Sequence, residues 1–286
     1  MNKKVIFCAG ISVRSGTNFI GSIFSEIESV DSLPKNTTKG EFPFFSNKTF
    51  NHYKSWVKGF QSTFFAIPNI DEKRLSPYFA DGFLNYLTKE YDLQNEYLFF
   101  KNPSLYNVQY FYDFFPEGKL LIITRSAPDL IASSLKASSL IRKSKSKLQN
   151  LKSKVKLYSG YNMYVFSKAY VKHTEQLLKI RNDFKDKFIE VKYEDIIANP
   201  KDEIKEILDY CEIVYSEIEF QNAVNAKVVG SSFFGSNQHI QNWGKLNKTE
   251  DFNSVGRYKS WNWFNKLVFN IVASKSNNLA GYNHKL

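Results

Sequence analysis

The sequence predicts an α/β fold with a mostly parallel central sheet flanked by helices on both faces. Two observations carry this. Short, continuously apolar runs such as "VIFCA" (Val5–Ala9) and "KLLIIT" (Lys119–Thr124) have the composition of strands buried on both sides. Between them lie longer segments whose apolar residues recur at helical spacing. Strands alternating with helices give parallel strands joined by crossovers.

The elements follow in order. Val5–Ala9 is the first strand, and Asn18–Glu28 follows as a helix with Phe19, Ile20, Ile23, Phe24 and Ile27 on one face. Asp31–Phe50, rich in Pro, Gly, Asn and Thr, reads as loop. "SPYFADGFLNYLTKEY" has helical spacing, and "EYLFFK", ending at Lys101, is a second strand. Gly118–Thr124 is the third, followed by a Pro-containing turn and a helix over Asp129–Ala137. "KFIEVKYED" is a further strand, and "NPKDEIKEILDYCEI" a helix aligning Ile204, Ile207, Leu208 and Cys211. Trp261, Phe264, Leu267, Val268 and Ile271 form a last helical stripe, expected to face the core. No repeat or long linker divides the chain, so residues 1–286 are expected to form one domain.

The 39 basic and 28 acidic residues give a net charge of +11, which favours an anionic partner. The basic run Lys136–Lys156 contains no acid and reads either as a solvated connection or as a wall of an acceptor site. It has no interleaved aromatics for base stacking, so nucleic acid is not an expected partner. Cys8 and Cys211 sit in apolar contexts and read as reduced core residues. "MNKKVIFCAGISV" reads as a buried first strand, because Phe7 is bulky where signal cleavage needs a small residue. No stretch approaches the ~18 apolar residues of a membrane span, and a cytoplasmic location is expected.

The chemistry begins at "VRSGTNF" (Val13–Phe19), between the first strand and the first helix. Its frame is that of a nucleotide triphosphatase loop, G-x-x-x-x-G-K-[ST], but Ser15, Gly16 and Thr17 close it. Glycine thus occupies the lysine position, and the cation appears at Arg14. Backbone N–H groups and a helix N-terminus still make an anion cradle. A loop that holds a 5′-phosphate without splitting a triphosphate has this form, although a plain helix cap reads the same way. In "TRSAPDLIASS", Arg125 ends a strand and Ser133 follows on the next helix, spaced so that its hydroxyl can turn back toward Arg125 as a clamp for a second phosphate.

These segments resemble the sulfotransferases that use 3′-phosphoadenosine 5′-phosphosulfate (PAPS). "VRSGTNF" is similar to that family's 5′-phosphosulfate loop and "TRSAPDLIASS" to its 3′-phosphate motif. "KYEDIIANPKDEIKEILDYCEI" resembles its characteristic strand and helix, and "SVGRYKSW" the C-terminal loop that closes over the 3′-phosphate. The resemblance implies a P-loop-NTPase-like three-layer fold. It also implies donor contacts from Arg14, Ser15, Gly16, Thr17, Asn18, Phe19, Arg125, Ser133, Gly256 and Arg257. Phe19 stands where many relatives stack a tryptophan on adenine, and equally where a core residue would stand.

The small-molecule branch of that family carries a histidine soon after its strand-end lysine, and "KNPSLY" after Lys101 has none. "GEFPFFSNKTFNHYKSW", with Glu41, Phe44, Phe45 and Trp56, instead resembles the glycan-modifying branch, which includes the heparan sulfate N- and O-sulfotransferases, as does "FFKNPSLY". Gly40 replaces a lysine common there, with Lys39 one residue earlier.

The expected reaction is sulfonyl transfer from PAPS, leaving 3′,5′-adenosine bisphosphate, to a hydroxyl or amine of a carbohydrate, without a metal. An attacking hydroxyl must lose a proton, a role for Glu41, and charge growing on the leaving oxygen needs a cation, a role for Lys101 and Arg14. His52 and His173 are fallback bases, and Tyr193 and Asp195 are expected to be structural. The alternatives are an inactive nucleotide- or polyanion-binding protein on this fold and a sulfotransferase with a small-molecule or lipid acceptor. A P-loop kinase is disfavoured by Gly16.

Overall fold

The computed structural model describes residues 3–32, 41, 43–60, 70–141, 160–226, 254–283 and 286. Five strands form one sheet: β1 Lys4–Gly10, β2 Val30–Ser32, β3 Tyr97–Asn102, β4 Lys119–Thr124 and β5 Phe188–Lys192. The order is β2-β3-β1-β4-β5, and every pairing is parallel. The central β1 shows why its sequence is apolar throughout. Phe7 and Ala9 point into one core, while Ile6 and Cys8 point into the other.

The first core is closed by α2 (Asn47–Phe60), α3 (Glu72–Glu90), α4 (Phe111–Phe114), α5 (Ala127–Ile141) and α6 (Tyr161–Phe184). Phe44 and Phe45 sit in it, their rings 5.0 Å apart, among the phenylalanines of α2 and α4. Each fully buried side chain of this size stabilises the fold by about 1.5–3 kcal/mol. The second core is closed by α1 (Thr17–Phe24), α7 (Tyr193–Ala198), α8 (Pro200–Tyr210) and α9 (Glu217–Val224). Two helices end the chain, α10 (Trp263–Val272) and α11 (Ser274–Leu279), and both pack on α6. The result is the expected three-layer α/β architecture.

Three expectations need correction. Asp31–Phe50 is not all loop: β2 pairs with β3, and α2 begins at Asn47. The first helix is shorter than expected, ending at Phe24. The last stripe faces the core only in part: Trp261 and Val268 pack against it. Phe269 is the residue buried there, whereas Phe264, Leu267 and Ile271 are exposed. The spacing is helical on either face, and periodicity alone does not say which face has a neighbour. Most of the basic run, residues 142–156, lies outside the described residues.

Candidate active site

The C-terminal ends of β1, β3 and β4 bring the expected residues together. Strand order reverses beside β1, and in open parallel sheets ligands bind at this edge. The loop after β1 bends sharply. Arg14 has φ 77° and Gly16 φ 117°, both left-handed. At Gly16 a Cβ would approach Tyr193 Cδ2 to 2.5 Å, so no side chain fits. A lysine at this position is therefore excluded by backbone conformation and by Tyr193 together. Gly16 then caps α1, whose first N–H groups open onto the loop. The buried Ser15 Oγ has no hydrogen-bond partner among the described residues, a polar group left for something else to satisfy.

Arg125 leaves β4 fully inside the protein, stacked over the Tyr193 ring at 4.5 Å. Its Nη1 donates to the Arg14 carbonyl at 2.9 Å, and its Nη2 donates to the Ser254 carbonyl. It thus ties the first loop to the C-terminal loop, while its buried Nε has no protein acceptor among the described residues. Ser133 is buried, and its hydroxyl accepts from Arg14 Nε at 3.3 Å and not from Arg125. The expected Arg125–Ser133 contact is not made, because the Arg125 guanidinium is turned toward backbone carbonyls.

The C-terminal loop is placed by a residue that sequence reasoning missed. Asp129, in the first turn of α5 and buried, accepts the backbone N–H of Gly256 at 3.0 Å and that of Arg257 at 2.7 Å. Gly256 has φ 80°. A buried acid beside Pro128 at a helix start, in a chain with a Gly-Arg loop to hold, is the only signal the sequence offered for it.

Electrostatically the site gathers positive charge. Burial pushes the Arg14 guanidinium down to about 10, and the charge of Arg125 adds to the shift. Arg257 is likewise pushed down to about 10 by burial, then by Arg125 and, more weakly, Arg14, while Tyr193 and Asp129 oppose the shift. Like charges held this close raise one another's cost, and an anion between them would lower it.

Lys101 lies buried one residue before the end of β3, and its Nζ donates to Asn18 Oδ1 at 2.6 Å. Burial lowers its pKa, and the charge of Glu41 opposes that shift. Glu41 is itself exposed and lies near enough for this effect. Thr17 is buried at the start of α1. Phe19 is in the core, edge-on to Tyr193 with ring centroids 6.2 Å apart, which is the second of its two readings.

Tyr193, under Arg125 and against Gly16, is a packing residue, and Asp195 is exposed on α7. His52 is exposed on α2, and His173 packs edge-on to Tyr106 on α6, its pKa lowered by burial and by Lys172. Trp56 stacks among Tyr53, Phe60 and Phe79, half-exposed. Both cysteines are buried free thiols. Among the described residues no cluster of His, Cys, Asp or Glu is arranged to hold a metal ion.

A parallel α/β sheet brings one buried arginine, Arg125, two half-buried ones, Arg14 and Arg257, and the buried Lys101 together at its C-terminal edge, a cationic cluster suited to an anionic ligand. The comparisons make this specific. Residues 6–217 match the model of the Sulfotransferase family, and the chain belongs to that family; it is a sulfotransferase. No match was found among curated proteins.

Solved structures share the fold at low identity. The sulfotransferase domain of the Synechococcus PCC 7002 olefin synthase is 14% identical, with 99% of this chain and 96% of that one covered and a TM-score of 0.56. A sulfotransferase from Alicyclobacillus acidocaldarius is 13% identical, covering 99% and 98%, with a TM-score of 0.51. Mouse sulfotransferase SULT7A1, complexed with PAP, is 12% identical, covering 99% and 90%, with a TM-score of 0.50.

Proposed function

We propose that residues 1–286 act as one cytoplasmic domain that transfers a sulfonyl group from PAPS to a hydroxyl or amine of a carbohydrate acceptor. The observation that carries the donor is the convergence of Arg14, Arg125 and Arg257 on the loop between β1 and α1. Their mutual repulsion is relieved by a ligand with two separated phosphate ends, and the orphaned Ser15 Oγ and Arg125 Nε offer it further donors. The mouse structure with PAP supports the same ligand class.

PAPS supplies the sulfonyl group and a stable bisphosphate leaving group. The chain supplies the rest. Ser15, Gly16, Thr17 and Asn18, at the α1 N-terminus, hold the 5′ end. Arg125, Ser133 and the Gly256–Arg257 loop hold the 3′-phosphate. Glu41 takes the proton of the attacking hydroxyl, its exposed position leaving room for an acceptor. Lys101, held by Asn18, and Arg14 offset the charge that grows on the departing oxygen. The carbohydrate acceptor rests on the likeness of the Glu41–Trp56 segment to the glycan-modifying branch.

The test is turnover of PAPS to 3′,5′-adenosine bisphosphate, followed by chromatography, with a panel of polysaccharides, phenols and lipids. Product that depends on a polysaccharide is expected. Product only with phenols or lipids would move the acceptor assignment. Bisphosphate binding without turnover on any acceptor would leave a binding protein.

A further inference from the structure

Helix α10 buries Phe269 but leaves four other large apolar side chains facing outward. Trp263 and Ile271 are each 74% exposed and Leu267 is 45% exposed, one helical turn apart, while Phe269 opposite them is buried. Phe264 lies beside Trp263, with ring centroids 5.8 Å apart. Its ring also covers Gly160, where a Cβ would come within 2.4 Å of it. Gly160 begins α6, so the exposed Tyr161, Tyr164 and Val165 adjoin the same patch. A contiguous apolar face of this kind marks an interaction surface.

The charges around it select the partner. From Ser254 to Leu286 the sequence contains no Asp or Glu, and from Leu130 to Thr174 again none. Exposed Lys259 and Lys275 flank α10, and exposed Lys168 and Lys172 continue the stripe of α6, with Lys168 Nζ 5.9 Å from the centre of the Tyr164 ring. A second copy of the chain would set this basic surround against itself, and like charges across an interface oppose pairing. A surface of tryptophan, aliphatic and tyrosine side chains bordered by lysines is complementary to a bilayer. The acyl boundary takes the apolar groups, and anionic headgroups take the lysines.

We propose that the face built from α10 and the start of α6 docks on an anionic lipid bilayer. Trp263, Leu267 and Ile271 enter its surface, and Lys168, Lys172, Lys259 and Lys275 contact its headgroups. This is independent of the sulfonyl-transfer reading.

Co-sedimentation with vesicles tests it. The full chain should bind phosphatidylcholine–phosphatidylglycerol vesicles and not phosphatidylcholine alone, and salt should release it. The double variant Trp263→Ser/Ile271→Ser should partition about a hundredfold more weakly, roughly tenfold for each apolar side chain. Lys168→Gln/Lys275→Gln should lose about fivefold per lysine. Circular dichroism should show the fold retained, since the altered side chains are exposed. Brominated acyl chains should quench the fluorescence of the unaltered protein more than that of Trp263→Phe. The proposal is overturned by absence of binding to anionic vesicles, by equal binding of the Trp263→Ser/Ile271→Ser protein, or by equal quenching. It is overturned also if the protein is a dimer that this variant dissociates, because a second copy then covers the face.

Discussion

Asp129 accepts the backbone N–H of Arg257 at 2.7 Å, joining the first turn of α5 to a loop more than a hundred residues away in sequence. The same carboxylate accepts from Gly256, so the 3′-phosphate side of the proposed site depends on one buried acid. Asp129→Ala leaves both N–H groups without it. The loss of hydrogen bonds to a charged group is worth ~1.5–3 kcal/mol each. Bisphosphate affinity should fall by roughly 10- to 100-fold by calorimetry, and AMP, which has no 3′-phosphate, should bind nearly as before. An equal loss for the two ligands would mean that Asp129 supports the whole fold and not this loop.

Arg125→Ala should act on the same difference. It removes the proposed 3′-phosphate contact and the ties to the Arg14 and Ser254 carbonyls. The preference for bisphosphate over AMP should shrink by at least tenfold, the lower bound for a charged hydrogen bond of ~1.5 kcal/mol. An unchanged preference would place the 3′-phosphate elsewhere.

Glu41→Gln keeps the shape of the side chain and removes the base. The expected fall in kcat is roughly 10²–10⁴-fold, with bisphosphate affinity retained. Near-normal kcat in Glu41→Gln, with activity abolished by His52→Ala or His173→Ala, would assign the base to a histidine.

Lys101→Met separates stability from catalysis. Burial lowers the Lys101 pKa, so the fold disfavours its charged form. Below that folded pKa the penalty is fully present, and it is relieved as pH rises through the folded pKa toward the unfolded value near 10.5. Replacing the ammonium by a methionine of similar length should raise Tm at neutral pH while kcat falls through lost charge stabilisation. The Tm difference should narrow as pH approaches 10. A lower Tm for the variant would mean that the Lys101–Asn18 bond outweighs the burial of the charge.

Much of the fold was legible because buried parallel strands must be apolar on both faces. "VIFCA", "YLFFK" and "KLLIIT" could be little else, and the order of strands and helices followed. Strand β2 escaped notice because three residues, Val30–Ser32, carry no periodicity. The long helix α6 was not anticipated, since its buried residues Met163, Ser167, Tyr170, Thr174 and Leu177 mix polar with apolar types. In the site, Arg14, Lys101, Arg125 and Arg257 were visible as cations at strand ends and in Gly-containing loops. Asp129 was not, because its partners are backbone amides remote in sequence.

The sequence by itself determined the layers, the family and the residue types at the sheet edge, because periodicity and local motifs are properties of short stretches. Only the tertiary structure decided three things. It turned the Ser133 hydroxyl to Arg14, it set Asp129 under the Gly256–Arg257 loop, and it left Trp263, Leu267 and Ile271 of α10 facing outward. Each depends on which segments meet across long sequence separations. A helix with apolar side chains on several sides buries the face that has a neighbour, and the neighbour is chosen by the fold.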